Sequence, residues 1–442
     1  MQTRGMKKLV LALCVAGLTL PAWADADPSE RERALEQRVA DLERMVQQLL
    51  AEREEESRDP APQIQQEVEE LRAEVARLDT EKAEQIIRPG TNFSFGGFVK
   101  HDMMYSRYSA GTPGPQSILR DFYVAGAVPV GGDSSTTDFD THARETRFIF
   151  NVERPEDGLQ GYIEMDFTSR TGGDERLTNA TSPSIRHMFV RWNNLLAGQH
   201  WSTFQNVGAL PENLDFVGPA EGTTFVRQAQ IRYTNGPWQF SLENPETTVT
   251  PFGGGGRIVT DTASVPDVVV RYNHTAEWGS FVAAFLARQL GIDGSGGTSR
   301  ETSLSFSLSG KFDIGRNDVR WMFSGGPGIG RYLGLNTAND AVLDGNGDLE
   351  AIDAYGGFVS YRHFWSDQWR SNFTLSAFRA DNDTNLTGFG VTETAESAHV
   401  NLIYQANARL RFGAEYIYGR REVESGASGN MNRLQFSTIF AF

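Results

Sequence analysis

In the part of the chain after residue 90, arginine is the residue type best suited to bind small ligands. From there onward Lys100 and Lys311 are the only lysines, and every other fixed positive charge is an arginine. Arginine presents a planar fork of N–H groups that can hold a carboxylate through two hydrogen bonds. We predict anion binding by eight arginines that alternate with apolar or aromatic residues, namely Arg147, Arg191, Arg232, Arg271, Arg320, Arg362, Arg370 and Arg411.

An alternative is that each arginine pairs with an acidic side chain on a neighbouring strand. Glu153, Glu164, Asp166 and Glu415 occupy suitable alternating positions. Such charge ladders would leave little net attraction for an anion. For any single arginine the sequence leaves both interpretations open.

The segments that carry the arginines alternate between apolar and polar residues, as β-strands do. In residues 433–442, Leu434, Phe436, Phe440 and Phe442 share one face, and polar or small residues share the other. A final strand with an aromatic face is typical of a transmembrane β-barrel, in which one side of each strand meets lipid. The last strand of a soluble β-sandwich is the alternative for this stretch.

About sixteen such segments occur between residues 91 and 442. Their centres lie near residues 99, 147, 164, 188, 198, 229, 240, 270, 284, 307, 322, 358, 374, 401, 414 and 437. An even strand number, short turns at one end and longer loops at the other are typical of bacterial outer-membrane barrels. We therefore predict an all-β transmembrane barrel of about sixteen antiparallel strands, preceded by a short α-helical coiled coil.

Residues 1–24 resemble a secretory signal peptide. Lys7 and Lys8 precede an apolar run, and Ala22-Trp23-Ala24 matches a small-x-small cleavage site. The apolar run is shorter than the roughly 20 residues that a transmembrane helix needs. Cys14 lies in this run, so we expect the mature chain to contain no cysteine.

Residues 25–90 form a charged segment with two heptad runs. Its apolar positions step by four and three residues, as in a coiled coil: Leu35, Val39, Leu42, Val46, Leu49, and then Ile64, Val68, Leu71, Val75, Leu78. Pro60 and Pro62 interrupt the pattern. We predict a periplasmic coiled coil that oligomerises the chain, and a solvated helix or disordered spacer is the alternative.

Two long connections could contribute to a site. Residues 202–224 follow a predicted strand, and we expect them to fold into the barrel and narrow it, with an ordinary external loop as the alternative. In the second connection, Asp344, Asn346 and Asp348 have the spacing of a calcium loop. The glycine and the twelfth-position glutamate of such loops are missing, so a plain acidic loop is the default and these three are weak metal candidates.

Composition argues against several other functions. The net charge of −16 argues against nucleic acid as a partner, and a mean hydropathy of −0.40 excludes a bundle of transmembrane helices. The seven histidines show no motif of a nucleophile with a positioned base, which an outer-membrane hydrolase would need. These are His101, His142, His187, His200, His274, His363 and His399. We expect neither an enzyme nor a bound cofactor.

The whole layout resembles the DcaP-like family of outer-membrane porins. The resemblance rests on the heptad segment 30–88, on Phe95-Gly96-Gly97-Phe98-Val99-Lys100, on the stretch 198–204, and on the terminal Phe442. It implies a trimeric barrel with an N-terminal helical extension, and it implies uptake of dicarboxylates and other small anions across the outer membrane. Such a chain would contact outer-membrane lipid and its own copies.

Two other functions remain open from the sequence. One is an unselective diffusion porin, in which the arginines are neutralised by acids. The other is a structural role, in which the helical segment tethers the barrel to the cell wall. An anion-selective channel is the main hypothesis because arginine so strongly predominates over lysine in the barrel.

Overall fold

The computed structural model describes residues 37, 40–41, 44–48, 69–70, 90–169, 179–294 and 297–442. The chain divides into two compact units, Met1–Arg88 and Pro89–Phe442. The described residues of the first unit are helical. Val46 is the one predicted heptad position among them, and the predicted signal peptide lies outside them, so the coiled coil and the signal peptide stay predictions. No helix within these ranges is long and apolar enough to cross a membrane.

The second unit is built from β-strands. In chain order they are β1 (Asn92–Tyr108), β2 (Thr136–His142), β3 (Arg147–Arg154), β4 (Leu159–Ser169), β5 (Ser182–Trp192), β6 (Leu195–Trp201), β7 (Arg227–Asn235), β8 (Trp238–Glu243), β9 (Thr247–Thr250), β10 (Ile258–Thr260), β11 (Asp267–Ala276), β12 (Gly279–Gly294), β13 (Gly297–Ile314), β14 (Asn317–Pro327), β15 (Ala341–Leu343), β16 (Leu349–Ala351), β17 (Asp353–Phe364), β18 (Trp369–Asp381), β19 (Thr392–Gln405), β20 (Leu410–Val423) and β21 (Ser428–Ala441).

Helices in this unit are short. Six 3₁₀ turns occur among its described residues, at Ile118–Arg120, Ala125–Ala127, Pro155–Asp157, Val207–Ala209, Ala220–Gly222 and Gly330–Tyr332, and one α-helical turn lies at Thr384–Thr387. Five of the 3₁₀ turns lie in the long loops, the α-helical turn lies between β18 and β19, and none of these turns interrupts a strand.

Seventeen of the strands form one antiparallel sheet that closes on itself. β1 pairs with β21 from Phe98↔Ala441 to Tyr108↔Met431, and this pairing closes the barrel. On its other side β1 pairs first with β3 and then with β2. Because β2 and β3 share one position in the wall, the barrel has sixteen strand positions, and each predicted strand centre lies within one of its strands.

The strands are joined by short turns at one end, and the four longest loops all lie at the other end. Two-residue turns connect β7 to β8, β11 to β12, and β13 to β14. Gly315, in the last of these turns, has a φ of +61°, a conformation that residues with a Cβ rarely adopt. The long loops cover residues 109–135, 202–226, 244–266 and 328–352. In outer-membrane barrels the short turns face the periplasm and the long loops face outward.

The outer face of the wall is apolar, as the alternation predicts. Phe436 and Phe440 of β21 remain 44% and 45% exposed although they lie mid-sheet, because they point away from the barrel. Near the closure, the ring of Phe442 lies 5.6 Å from that of Phe95. Such aromatic groups are suited to the boundary between lipid and water.

The interior of the barrel contains a hydrophobic core built largely from loops. Buried members come from three loops, including Leu119 and Tyr123, Phe204 and Val217, and Tyr332. A separate four-stranded sheet of β10, β9, β15 and β16 joins loops 244–266 and 328–352. Loop material therefore packs inside the wall, and residues 202–224 are not the only part that enters, as the loop between β1 and β2 does so as well.

Candidate functional site

The loop between β6 and β7, residues 202–226, crosses the lumen, and we call it the inward loop. Asn206 donates to the Ser309 hydroxyl of β13 at 2.9 Å. The Leu214 carbonyl accepts from the Lys100 ammonium of β1 at 2.6 Å. Since β1 and β13 lie far apart in the wall, a loop that touches both must pass through the interior. The prediction that this connection folds inward is confirmed by these contacts.

Two further loops enter beside it. Asp215 of the inward loop accepts from the Tyr123 backbone N–H of loop 109–135 at 2.8 Å. On another side, Phe225 N–H donates to the carbonyl of Tyr332, in loop 328–352, at 3.0 Å. The inward loop is thus held between two other loops. No pattern in the sequence indicated that these two loops fold inward.

Glycines on the inner face of β20 make room for these loops. A Cβ on Gly413 would lie 2.7 Å from Leu214, and one on Gly419 would lie 2.4 Å from the ring of Tyr123. Both distances are shorter than carbon atoms tolerate. The glycines therefore allow the loops to dock against the wall.

Four of the predicted arginines form one charged set with two carboxylates on the side of the lumen formed by β14, β17, β18 and β20. Arg370 holds Glu212 of the inward loop through one guanidinium edge, with Nε and Nη2 donating to the two carboxylate oxygens at 2.8 Å and 2.6 Å. Arg411 and Arg362 reach the same carboxylate at 3.3 Å and 3.5 Å. We call Arg362, Arg370 and Arg411 the arginine cradle. Bidentate contacts of this kind are the strong form of an arginine–carboxylate pair.

The fourth arginine of the set binds both the wall and the loop. Arg320 donates to Asp318 of its own strand at 2.9 Å and to the Leu210 carbonyl at 2.5 Å. Asp318 also pairs with Arg362. Two carboxylates, Asp318 and Glu212, thus face four guanidinium groups, so the set carries a net charge of +2.

The environment of Glu212 favours its ionised form. Burial alone would raise the pKa of this carboxyl group, but the hydrogen bond and charge of Arg370, with the charges of Arg411 and Arg362, outweigh burial and lower the pKa below its ordinary value. Glu212 is therefore a carboxylate at neutral pH, and it serves as counter-ion to the cradle.

Arg232 and Arg271 bind neutral acceptors. Arg271 donates to the Gln205 carbonyl at 2.6 Å and to Asn273 at 2.7 Å. Arg232 donates to Gln230 at 3.0 Å and to the carbonyl of Trp201. Neither forms an ion pair within the described ranges. Both help to fix the start of the inward loop while keeping their full positive charge.

Arg147 belongs to a second cluster, on β3 to β5. It lies 3.2 Å from Glu164, and Arg186 pairs with Glu164 at 2.8 Å and with Asp166 at 2.6 Å. The guanidinium of Arg186 also lies over the ring of Trp201, at 5.6 Å. Each of these two arginines has a carboxylate partner, as the alternative interpretation expects, and Arg227 adds a third guanidinium, 5.2 Å from the same Trp201 ring.

Arg191, the last predicted arginine, is the most accessible. Its guanidinium lies 5.7 Å from the ring of Phe189 on the inner face of β5. It forms no ion pair in the part of the chain that the structure describes.

Two of the acids suggested as arginine partners bind other groups. Glu153 accepts from Asn151 and Gln160, and Glu415 accepts from His399 and the Leu214 N–H.

Sequence alternation missed Arg186. The pairing of β4 with β5 shifts after Glu164↔His187, because Met165 pairs with Ile185 and Arg186 becomes an extra residue. Both Arg186 and His187 are consequently buried on the inner side. A β-bulge re-aims a side chain in this way, and no sequence signal marks it.

Arg433, in contrast, follows the alternation and could have been included among the predicted lumen-facing arginines. It is fully buried and donates to Ser106 at 2.8 Å.

A serine, a histidine and a glutamate also meet on the inner wall, which the search for histidine motifs overlooked. His399 lies 3.2 Å from the Ser397 hydroxyl and 3.1 Å from Glu415. This is the order of contacts in a hydrolytic triad. All three are at most 4% exposed, and the ring of Tyr123 packs against His399. A substrate carbonyl therefore has no access to the serine, and the group acts as a buried polar network.

The weak metal candidates form a hydrogen-bonded turn. Asp344 accepts from the backbone N–H groups of Asn346 and Asp348, both at 2.8 Å. Within the described ranges, no group of three or more His, Cys, Asp or Glu side chains is arranged to hold a metal ion.

The family model described as DcaP outer membrane protein matches residues 22–442. The chain belongs to this family. No curated protein matches the sequence. The barrel is similar to the crystal structure of the outer membrane channel DcaP of Acinetobacter baumannii, with 22% identity and a TM-score of 0.66, over 80% of this chain and 99% of that one.

General porin folds are more distant. A loop L8 deletion mutant of OmpT, an outer membrane protein of Vibrio cholerae, has 12% identity and a TM-score of 0.49, over 80% of this chain and 100% of that one. OmpF of Salmonella typhi, in complex with daunomycin, has 12% identity and a TM-score of 0.49, over 80% and 98% of the two chains. As a DcaP family member, the chain is an outer-membrane β-barrel of the channel-forming kind.

Proposed function

We propose that this outer-membrane barrel conducts small anionic solutes, dicarboxylates above all, by passive diffusion. The observation that supports this most is the excess of arginine beside the inward loop. Four guanidinium groups face two carboxylates there, and Arg232 and Arg271 add two charges without an acidic partner in the described chain. Fixed positive charge along a pore favours anions. The dicarboxylate class comes from the family resemblance.

The eight predicted arginines differ in the roles we propose for them. Arg320, Arg362, Arg370 and Arg411 would attract the solute beside the inward loop. Arg191, Arg232 and Arg271 would guide it, since none of the three forms an ion pair within the described chain. Arg147 would contribute less, because Glu164 lies 3.2 Å away.

The decisive measurement is the reversal potential of purified full-length protein in a planar bilayer under a salt gradient, with and without succinate. We expect a potential that indicates anion selectivity, and a chloride current that succinate reduces. Cation selectivity would overturn the proposal.

An unselective diffusion porin is the second candidate. The pairing of Arg147 and Arg186 with Glu164 and Asp166 favours it, since each of these arginines has an acidic partner. Under this alternative the reversal potential would be close to zero and neutral solutes would permeate as fast as anions of the same size.

We further propose a homotrimer whose helical extension, residues 25–90, lies in the periplasm. Deletion of residues 25–88 separates the possible roles of this segment. Loss of the oligomer with unchanged single-barrel conductance would support an assembly role. An intact oligomer with weakened cell-wall association would support the tethering alternative instead.

A further inference from the structure

The anion bound by the arginine cradle is part of the protein itself. Arg370 and Arg411 have Glu212 as their sole carboxylate partner in the described chain, and Arg362 shares Asp318 with Arg320. The cradle therefore already holds a carboxylate, at distances of 2.6 Å to 3.5 Å. Its geometry is that of an occupied carboxylate-binding site.

Removing Glu212 would leave the cradle in need of another anion. The charged set would then hold four arginines against Asp318 alone. Half-buried guanidinium groups without a counter-ion are unfavourable, because they have lost hydration without gaining a partner. A carboxylate from solution restores both the charge balance and the bidentate hydrogen bonds.

The exchange requires little movement of the chain. The backbone carbonyl of Glu212 accepts from the side-chain amides of Asn372 and Asn401, both at 2.9 Å. The neighbouring Leu214 carbonyl is held by Lys100. The Glu212 side chain, in contrast, is 20% exposed, and rotation about its own bonds would release the cradle without moving the backbone. The loop stays in place while its carboxylate leaves.

We propose that Glu212 is a tethered competitor that yields the arginine cradle to carboxylate-bearing solutes. The inference rests on the proposed function and assigns its binding site. An internal competitor has a high effective concentration because it is tethered beside its site. The solute binds only while the cradle is free of Glu212, so its apparent affinity is reduced in proportion to the time that Glu212 occupies the cradle. The solute consequently binds weakly enough to leave again, as conduction requires.

The test compares two charge-removing variants of the full-length protein. Glu212→Gln removes the competitor from the cradle. Glu153→Gln removes the same charge from the lumen, where Glu153 contacts Asn151 and Gln160 and no arginine within the described ranges. The readout is the succinate concentration that halves the chloride current through a single barrel. Heat-modifiable migration on a gel checks that each variant forms the barrel.

We expect E212Q to lower the half-blocking concentration by about tenfold or more, since one charge-assisted hydrogen bond changes binding by about that factor. E153Q should leave it unchanged, and the double variant E212Q/R370Q should lose the gain. An unchanged value in E212Q would overturn the inference. An equal decrease in E212Q and E153Q would also overturn it, because the effect would then be a general change in the lumen field.

The inference can be judged even if the proposed function fails. If the wild-type protein showed no anion selectivity, the appearance of succinate block in E212Q would still support a competitor, and its absence would reject one. Should E212Q not form a barrel, Glu212→Asp gives the same test. The aspartate side chain is one methylene shorter and cannot hold Arg370 with the same bidentate geometry. The E212D variant should therefore also lower the half-blocking concentration of succinate.

Discussion

The two carboxylate oxygens of Glu212 lie 2.8 Å and 2.6 Å from Nε and Nη2 of Arg370, although the residues are 158 positions apart in the chain. One belongs to a loop that enters the lumen and the other to the inner wall of β18. This pair connects the architecture to the proposed function, because it joins the loop that crosses the lumen to one of the arginines that we propose to attract anions.

Replacing Arg370 should weaken both the docking of the loop and the selectivity for anions. In Arg370→Gln we expect a loss of about 1.5–3 kcal/mol in unfolding free energy, the usual contribution of a hydrogen bond to a charged group. The reversal potential should shift towards cation selectivity. Arg316→Gln is a matched control, because its pair with Asp367 is 61% and 93% exposed and should contribute almost nothing. Equal effects of the two substitutions would contradict the assignment.

Gly222→Ala should displace the part of the inward loop that docks on β17. A Cβ at this position would lie 2.4 Å from the carbonyl oxygen of Gly357. Backbone atoms cannot yield as a side-chain tip can, so we expect a destabilisation of about 1–3 kcal/mol, as for other overpacked sites, and a higher single-channel conductance. Gly114→Ala adds the same methyl group where nothing lies within 4 Å. If the conductance of G222A equals that of G114A, this contact does not hold the constriction.

The stabilisation provided by Glu212 should disappear in acid. Its pKa is lower in the folded than in the unfolded protein, so its contribution is present above the unfolded-state pKa of about 4.3 and is lost as the pH falls through the folded-state value. The unfolding temperature of wild type should therefore decrease more steeply below this pH than that of E212Q. Parallel pH profiles would show that Glu212 is not ionised against the cradle.

Glu221 should have the opposite effect on the pH dependence of stability. It is fully buried and forms no ion pair among the described residues, and burial raises the pKa of its carboxyl group above the ordinary value. Folding then favours the protonated form, so stability falls as the pH rises from the unfolded-state pKa through the folded-state value. We expect Glu221→Gln to raise the unfolding temperature at neutral pH and to leave it unchanged in acid. A lower temperature at neutral pH would contradict this account.

Arg186 should contribute strongly to stability because its partners are buried with it. Arg186→Met leaves Asp166, which is fully buried, without its cation, and we expect a loss of about 3–5 kcal/mol, typical of a broken buried pair. The additional substitution Asp166→Asn should restore part of the loss by removing the unpaired charge. Unfolding curves of the two single variants and the double variant form the required cycle. Additive effects would show that the pair is not coupled.

Sequence alone was sufficient for the barrel and its sixteen strand positions. Period-two alternation sorts residues to two faces without knowledge of any partner, so it placed Phe436 and Phe440 outside and Arg320, Arg362 and Arg370 inside. Each strand carries this alternation in its own sequence, because lipid and lumen require different side chains on its two faces.

Only the tertiary structure decided what the inner face contacts. The capture of Glu212 by three arginines, the bulge that turns Arg186 inward, and the docking of Tyr123 over Gly419 each join segments distant in the chain. Alternation reports the side of the wall on which a residue lies, but it cannot report which loop crosses the lumen to meet it. For that reason the sequence predicted a positively charged lumen, and the folded chain determined which of its arginines already hold a carboxylate of their own.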